Sequence, residues 1–215
     1  MNAVELNSVS KIIRKQTVLN NISLALKEKR IYGFVGRNGS GKTMLFRAIC
    51  GLIRPTAGSI IVFGKKIGVE ISFPPSVGLI IENVNFWPHY SGLQCLRLLA
   101  SIKGNIHDQE IRESMERVGL DPDDKRSLKR YSLGMKQRLG IAQAIMEKPD
   151  LIVLDEPTNS LDSNGVLLVR NILLEEKARG ATILLASHIA EDISLLSDEV
   201  IHIDQGQIQN VEVLP

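Results

Sequence analysis

The sequence has no long apolar run and nothing that marks it for export. A helix that spans a membrane needs roughly 18 to 20 consecutive apolar residues, and no stretch of the 215 residues approaches that length. The N-terminal segment MNAVELNSVSK carries an acidic residue and no apolar core, so it does not fit a secretory signal. We therefore expect a chain that neither crosses a membrane nor is exported.

Blocks of like charge and clustered cysteines are also missing. The formal net charge of +2 and the absence of any run of five or six like charges give no basis for a nucleic-acid partner. The two cysteines, Cys50 and Cys95, are far apart and lie in apolar helical patterns. We expect buried free thiols, because this spacing matches neither a disulfide framework nor a metal site.

Two kinds of strand pattern are present. Residues 4–12 and 18–26 alternate between apolar and polar positions, which predicts antiparallel strands with one solvated face. Continuous apolar runs instead predict strands that are covered on both faces, as in a parallel sheet. Four short runs have this character: residues 31–35, 77–81, 151–154 and 182–186. The sequence therefore predicts an α/β protein with a mostly parallel sheet and an N-terminal antiparallel β-subdomain.

Helical patterns lie between these strands. Three of them follow one another between the strands at 77 and 151, which breaks a strict alternation of strand and helix. We expect one domain spanning residues 1–215, in which residues 84–148 form an inserted α-helical subdomain. The predicted helices cover residues 42–50, 93–102, 108–118, 133–147 and 166–179.

A glycine-rich loop follows the first buried strand. Residues 36–43 read GRNGSGKT, which matches the phosphate-binding pattern G-x-x-x-x-G-K-[ST] at the start of a helix. Small residues let backbone N–H groups surround phosphate oxygens, and the helix dipole adds positive potential. Lys42 would neutralise the β- and γ-phosphates, and the Thr43 hydroxyl would bind Mg²⁺. A turn that merely starts a helix is the alternative. The predicted nucleotide-binding residues are Gly36, Arg37, Asn38, Gly39, Ser40, Gly41, Lys42, Thr43 and Met44.

Two carboxylates end the buried strand LIVLDEP, residues 151–157. Ligands bind at the carboxyl ends of strands in open parallel sheets, and side chains alternate along a strand. Asp155 can therefore face the phosphate loop and hold Mg²⁺, while Glu156 points toward a water in line with the γ-phosphate and acts as a general base. An ordinary acidic turn before Pro157 is the alternative interpretation.

The sequence resembles the ABC ATPase family in residues that a phosphate loop alone does not include. Residues 131–138, YSLGMKQR, are similar to the family's signature motif, residues 160–162 to its dimer-linking loop, and His188 to its switch histidine. The resemblance covers the chain from about residue 4 to residue 208 and implies a P-loop NTPase core of the RecA-like type. It also implies ATP and Mg²⁺ as cofactors and ATP hydrolysis, with Glu156, His188 and Lys42 as catalytic residues.

The same resemblance implies a dimer and a membrane partner. Two ATPase subunits, identical or not, would assemble head to tail, and Ser132, Gly134 and Asp162 would lie against the nucleotide of the other subunit. The dimer would drive an integral membrane permease from the cytoplasmic face of the cell membrane. One alternative is a soluble ABC ATPase acting on ribosomes or DNA, which usually carries two cassettes or a coiled-coil insertion. Another is a regulatory module without turnover, in which Glu156 and His188 are not expected.

Three positions depart from the family pattern. Leu133 interrupts the signature motif where the family has a glycine. Glu82 occupies the place of a glutamine that contacts Mg²⁺ and the permease; glutamate keeps the metal-binding oxygen but adds negative charge. This glutamate and the following NFWPHYSGLQCLRLLA are similar to bacterial bacitracin and lantibiotic resistance exporters, which implies export of a drug or an antimicrobial peptide. Ile13 stands near the place of the aromatic residue that stacks on adenine.

Three of the nine aromatic residues, Phe86, Trp87 and Tyr90, lie within five positions of each other. Such a cluster in a polar, proline-containing loop is either a contact with the helical subdomain or an interface with a protein partner. Because the family docks its permease near this place, the interface is the favoured interpretation.

Overall fold

The computed structural model describes residues 1–82 and 85–214. Residue 84, where the predicted insertion begins, and residue 215 lie outside the described residues. The strands are β1 Asn2–Ile13, β2 Gln16–Lys27, β3 Ile31–Val35, β4 Ala57–Val62, β5 Lys65–Lys66, β6 Val77–Ile80, β7 Leu151–Asp155, β8 Thr182–Ala186, β9 Glu199–Asp204 and β10 Gln207–Val213. The α-helices are α1 Lys42–Ile49, α2 Gly92–Lys103, α3 Asp108–Arg117, α4 Leu133–Ile145, α5 Ser163–Arg179 and α6 Ala190–Leu196, with a 3₁₀ turn at Leu128–Arg130.

The strands form two sheets. The first is antiparallel with the order β2-β1-β4-β5, and the second has the order β10-β9-β3-β8-β7-β6. In the second sheet the strands from β9 to β6 run parallel, and β10 pairs antiparallel with β9. The predicted combination of a mostly parallel sheet and an N-terminal antiparallel sheet is therefore confirmed. The sequence pattern did not reveal β4, β5, β9 and β10.

The apolar runs of the central strands are explained by burial on both faces. Leu151 and Val153 of β7 pack with α1 and the antiparallel sheet, whereas Ile152 and Leu154 pack with the helices on the opposite face. Successive side chains of a strand point to opposite faces, so a strand between two hydrophobic layers is apolar along most of its length, and its polar residues, Asp155 of β7 and Thr182 of β8, lie at the strand ends. The molecule thus has three layers, with the parallel sheet in the middle.

Three α-helices lie between β6 and β7, as expected from the sequence. Their buried residues, such as Leu96 of α2 and Leu139 of α4, belong to the same hydrophobic cluster as Ile152 of the sheet. The inserted segment therefore shares its core with the rest of the chain, and its separate status as a subdomain stays a prediction. Helix α5 begins at Ser163, earlier than predicted, because the Asp162 carboxylate caps it by accepting the Gly165 N–H at 2.8 Å.

The two cysteines are buried and free, as predicted. Burial raises the pKa of the Cys50 thiol to about 12, because a thiolate is poorly solvated inside the core. Among residues 1–82 and 85–214, none of the helices combines the length and the apolar composition that a membrane span requires.

Helix α4 crosses β6 with almost no space between the two backbones. A Cβ atom placed on Gly78 of β6 would lie 1.7 Å from the carbonyl oxygen of Ala144 in α4 and 2.9 Å from Cγ of Pro149. No side chain fits at this crossing, so only glycine allows the helix to lie this close to the edge strand.

The substitution Gly78→Ala should therefore force α4 away from the sheet and lower the free energy of unfolding by about 3 kcal/mol. Urea denaturation of the purified chain measures this loss. Gly64→Ala is the matched control, because Gly64 has a φ of 75° but nothing within 4 Å of its Cβ position, and its left-handed backbone should cost only about 1 to 2 kcal/mol. If Gly78→Ala lost no more free energy of unfolding than Gly64→Ala, the close contact between α4 and β6 would be contradicted.

Candidate functional site

The phosphate loop lies tightly between β3, α1 and the end of β9. A Cβ on Gly36 would lie 2.1 Å from the carbonyl oxygen of Ile203 and 2.6 Å from Oγ of Ser40. The loop is also tied to the β9–β10 turn, because the Gly206 N–H donates to the Ser40 carbonyl at 2.8 Å. These contacts hold the loop in a fixed curve at the start of α1.

Lys42 lies at the centre of this curve. Its Nζ donates to the carbonyl oxygens of Gly36 at 2.6 Å and Arg37 at 3.2 Å. The ammonium group is therefore held by the loop itself, beside the first N–H groups of α1, which have no acceptor within the helix. A cleft of about 680 Å³ opens here and is lined by seven of the nine predicted loop residues, Asn38, Gly39, Ser40, Gly41, Lys42, Thr43 and Met44, but not by Gly36 or Arg37.

The end of β7 meets the first turn of α1. The Thr43 hydroxyl donates to Oδ2 of Asp155 at 2.5 Å, and Asp155 is buried. Asp155 therefore does face the phosphate loop, as the alternation along the strand predicts. Its function as a metal ligand stays a prediction.

Glu156 turns the other way and contacts His188. Its Oε2 lies 2.7 Å from Nδ1 of His188 and accepts the His188 backbone N–H at 3.3 Å. The Glu156 backbone has a φ of 54°, which is uncommon for a residue with a side chain, and its N–H donates to the Ala186 carbonyl at 2.8 Å. The structure thus brings the predicted general base and the predicted switch histidine together.

Gln137 of α4 was not singled out from the sequence. Its Nε2 donates to the carbonyl oxygens of Pro157 at 3.0 Å and Glu156 at 3.4 Å. These bonds tie the helix of the signature segment to the acidic loop of the same chain. A polar residue inside YSLGMKQR was the one feature of the sequence that could have drawn attention to Gln137. Its hydrogen-bond partners, Glu156 and Pro157, are about 20 positions away and are not evident from the sequence.

The signature residues lie at the start of α4. Ser132 caps the helix by accepting the Met135 N–H at 3.1 Å, and a Cβ on Gly134 would lie 3.0 Å from the Ser160 carbonyl oxygen. Leu133 is 65% exposed and lines the cleft. Ser132, Gly134 and Asp162 are not among the residues that line the cleft of their own chain. Their contact with a second subunit stays a prediction.

Glu82 and Ile13 have different surroundings. Glu82 lines the cleft, and its Oε1 lies 2.9 Å from Nη2 of Arg47 in α1. Ile13 pairs with Gln16 in the β1–β2 hairpin and does not line the cleft, whereas Gln16 and Val18 of β2 do. The side of the cleft where the base was expected is therefore formed by β2, and a contact from Ile13 stays a prediction.

The sequence profile of the family described as "ABC transporter" matches residues 19–159. The chain belongs to this family. It is 50% identical over 209 residues, 97% of the chain and 96% of the relative, to the "Uncharacterized ABC transporter ATP-binding protein YybJ" of Bacillus subtilis (strain 168). The "Bacitracin transport ATP-binding protein BcrA" of Enterococcus faecalis is 36% identical, over 95% of the chain and 67% of the relative. The "Lantibiotic transport ATP-binding protein SrtF" of Streptococcus pyogenes is 34% identical, over 95% and 88%.

Solved structures of ABC cassettes share the fold. One titled "Structure of ATP binding subunit of ABC transporter" superposes with a TM-score of 0.90 at 25% identity, over 99% of this chain and 90% of the other. A dimeric cassette, MJ0796 bound to ADP and Pi, superposes with a TM-score of 0.88 at 21% identity over 99% of both chains, which shows the fold alone. The predicted family, the fold and the predicted activity are confirmed: this chain is the ATP-binding, ATP-hydrolysing subunit of an ABC transporter. These relatives do not support the alternative of a soluble ABC ATPase.

A buried carboxylate of this ABC subunit joins the two loops that carry Glu156 and His188. Asp192 of α6 is fully buried and accepts hydrogen bonds from Thr158 Oγ1 at 2.6 Å, Arg170 Nε at 2.7 Å and Ser187 Oγ at 3.4 Å. Thr158 follows the general base by two positions, and Ser187 immediately precedes the histidine. This network could not be predicted from the sequence, because α6 is short and the partners of Asp192 are distant along the chain.

The substitution Asp192→Ala should lower the free energy of unfolding by about 3 to 5 kcal/mol, because it leaves the buried Arg170 guanidinium with one exposed partner. Glu191→Ala is the control: Glu191 also pairs with Arg170, at 3.0 Å, but its side chain is 68% exposed, so its loss should amount to about 0 to 1 kcal/mol. Chemical denaturation of both variants gives the comparison. If both variants lost the same free energy of unfolding, the buried ion pair would contribute no more to stability than the exposed one.

Proposed function

We propose that this ABC transporter subunit binds and hydrolyses Mg-ATP in the cleft between the phosphate loop and the acidic end of β7. The observation that carries the proposal is the convergence of two polar contacts on one cleft. Thr43 meets Asp155 on one side, and Glu156 meets His188 on the other. The first contact supplies metal-binding oxygens, and the second supplies a base with an orienting partner.

The residues present fit Mg²⁺. Hydroxyl and carboxylate oxygens are the protein ligands that this ion prefers, and Thr43 and Asp155 offer one of each within 2.5 Å of one another. Glu82 is a third oxygen donor in the same cleft. Bound Mg²⁺ would neutralise charge that develops on the transferred phosphoryl group. Lys42, released from the loop carbonyls, would serve the phosphate oxygens directly.

Glu156 is the proposed general base. The His188 imidazole can donate an Nδ1–H to Oε2 of Glu156, which fixes the carboxylate while its other oxygen remains available for a proton. The His188 backbone N–H supports the same carboxylate oxygen. Glu156 would take a proton from the attacking water, and His188 would hold the carboxylate in its working orientation.

A second ATPase subunit is the proposed partner at the start of α4. Ser132 stands at a helix N-terminus, where the hydroxyl, free N–H groups and the helix dipole favour an anion. In the proposed head-to-tail dimer, Ser132, Gly134 and the segment around Asp162 would close on the γ-phosphate held by the other subunit. Each ATP would thus be bound by two chains.

The variant Glu156→Gln should bind ATP normally, hydrolyse it at least about 100-fold more slowly, and form a dimer with Mg-ATP that light scattering detects. Adding Ser132→Arg should abolish this dimer without weakening ATP binding by the monomer. Ser101→Arg, on the exposed surface of α2, is the control and should leave the dimer intact. Normal turnover by Glu156→Gln would remove this residue from the proposed mechanism, and a dimer that persists with Ser132→Arg would exclude the shared site.

A membrane permease is the proposed second partner, and a peptide antibiotic the proposed cargo. The relatives named for bacitracin and lantibiotic transport support this choice. Trp87 and Tyr90 are 45% and 44% exposed, with ring centroids 6.4 Å apart, whereas Phe86 packs against the core. Exposed aromatic residues are frequent anchors of protein interfaces. We assign the permease contact to Trp87 and Tyr90, at the cytoplasmic face of the cell membrane.

Trp87→Ala should reduce co-purification with the permease at least about tenfold, leave the melting temperature and the basal ATPase rate unchanged, and sensitise the source organism to bacitracin or lantibiotics. The control Phe86→Ala should instead lower the melting temperature, because Phe86 is a core contact. Recovery of the permease at the wild-type level would exclude the interface. Unchanged sensitivity to peptide antibiotics in a strain carrying only Glu156→Gln would exclude the proposed cargo.

A further inference from the structure

We propose that Arg47 is a positioning residue that acts through Glu82 and sets how strongly nucleotide binding depends on Mg²⁺. The inference rests on the proposed function, since it takes the cleft to be the Mg-ATP site. It adds a residue outside the phosphate loop and outside every motif that the sequence pattern indicates. Arg47 would neutralise Glu82 when the metal is absent and leave it free when the metal is bound.

The geometry begins with one face of α1. Thr43 and Arg47 are four residues apart and therefore lie on the same side of the helix, one turn from each other. Thr43 contacts Asp155 at the end of β7, and Arg47 contacts Glu82 just beyond the end of β6. Because β6 and β7 are adjacent parallel strands, α1 contacts the ends of two neighbouring strands through two successive turns.

The charges in the cleft explain why such a counter-ion is needed. Among the described residues that line the cleft, three are carboxylates, those of Glu82, Asp155 and Glu156, and Lys42 is the one cation. ATP without metal carries up to about four negative charges, so an unpaired Glu82 would repel it. The ion pair with Arg47 offsets the negative charge of Glu82 before the nucleotide binds.

The pair is also suited to be exchanged. The side chains of Arg47 and Glu82 are 34% and 58% exposed, so water can solvate either group when the contact opens and the pair is not a buried structural bridge. The contact joins Nη2 of Arg47 and Oε1 of Glu82 at 2.9 Å. A carboxylate in this position can leave the guanidinium for a metal ion at small cost.

The test is a double-mutant cycle on nucleotide affinity, which is independent of turnover. Dissociation constants for AMP-PNP are measured by calorimetry with EDTA and with MgCl₂, in wild type, Arg47→Ala, Glu82→Gln and the double variant. Arg47→Ala should weaken binding in EDTA by about 5- to 20-fold and binding in MgCl₂ by less than about threefold. In the Glu82→Gln background, Arg47→Ala should change neither constant by more than about twofold.

Two further measurements separate this role from a structural one. Arg47→Lys keeps the charge and should restore most of the affinity in EDTA, and 0.5 M salt should shrink the effect of Arg47→Ala because the pair is partly exposed. Arg47→Met, which keeps the aliphatic stem, replaces Arg47→Ala if the latter fails to fold. Equal losses with and without Mg²⁺, or the same loss in the Glu82→Gln background, would overturn the proposal. A different result would contradict the proposed function itself: no binding of AMP-PNP by the wild type in the presence of MgCl₂.

Discussion

The site depends on the contact between Thr43 and Asp155. The two residues are 112 positions apart in the sequence, yet the hydroxyl and the carboxylate meet at 2.5 Å. The strand order explains how: β8 lies between β3 and β7, so the helix that follows β3 extends over the end of β7. Glu156 is then placed by being the next residue along the chain, and Glu82 by following the end of the neighbouring strand β6. If β7 and β6 lay on the opposite side of β3, the phosphate loop would be separated from the acidic side chains of the cleft.

Local features of the site and fold could be predicted from the sequence. The phosphate loop is a pattern of eight consecutive positions, and the alternation of a strand directs Asp155 toward it. Glu156 lies beyond the end of β7 with a φ of 54°, so alternation does not account for its contact with His188. The buried strands were predictable because two hydrophobic layers require apolar residues on both faces, which leaves polar residues only at the strand ends. In contrast, β9 was missed because its sequence, EVIHID, mixes charged and apolar residues at a partly exposed place in the sheet. Helix α6 was missed because its seven residues are too short for a clear period.

Contacts between distant segments could not be predicted. The bonds from Gln137 to the acidic loop, the ion pair of Arg47 with Glu82 and the burial of Asp192 all need the tertiary fold before their partners come together. The position of Ile13 relative to the cleft also depends on the tertiary fold. The β1–β2 hairpin brings Gln16 and Val18 of β2 to the cleft lining, and Ile13 is not part of that lining. A motif resemblance therefore identifies the residues of a site more readily than the residues that contact them.

The crossing of Gly78 under α4 has a mechanical consequence. The helix touches β6 backbone to backbone near Ala144, so this contact would be the pivot of any rotation of α4 as a rigid body, with Ser132 at the far tip. At 1.5 Å per residue the arm between pivot and tip is about 18 Å long. A turn of about 10° at the pivot sweeps the tip through about 3 Å, the length of a hydrogen bond. Such a rotation would displace Ser132 by a hydrogen-bond length without any bend inside the helix.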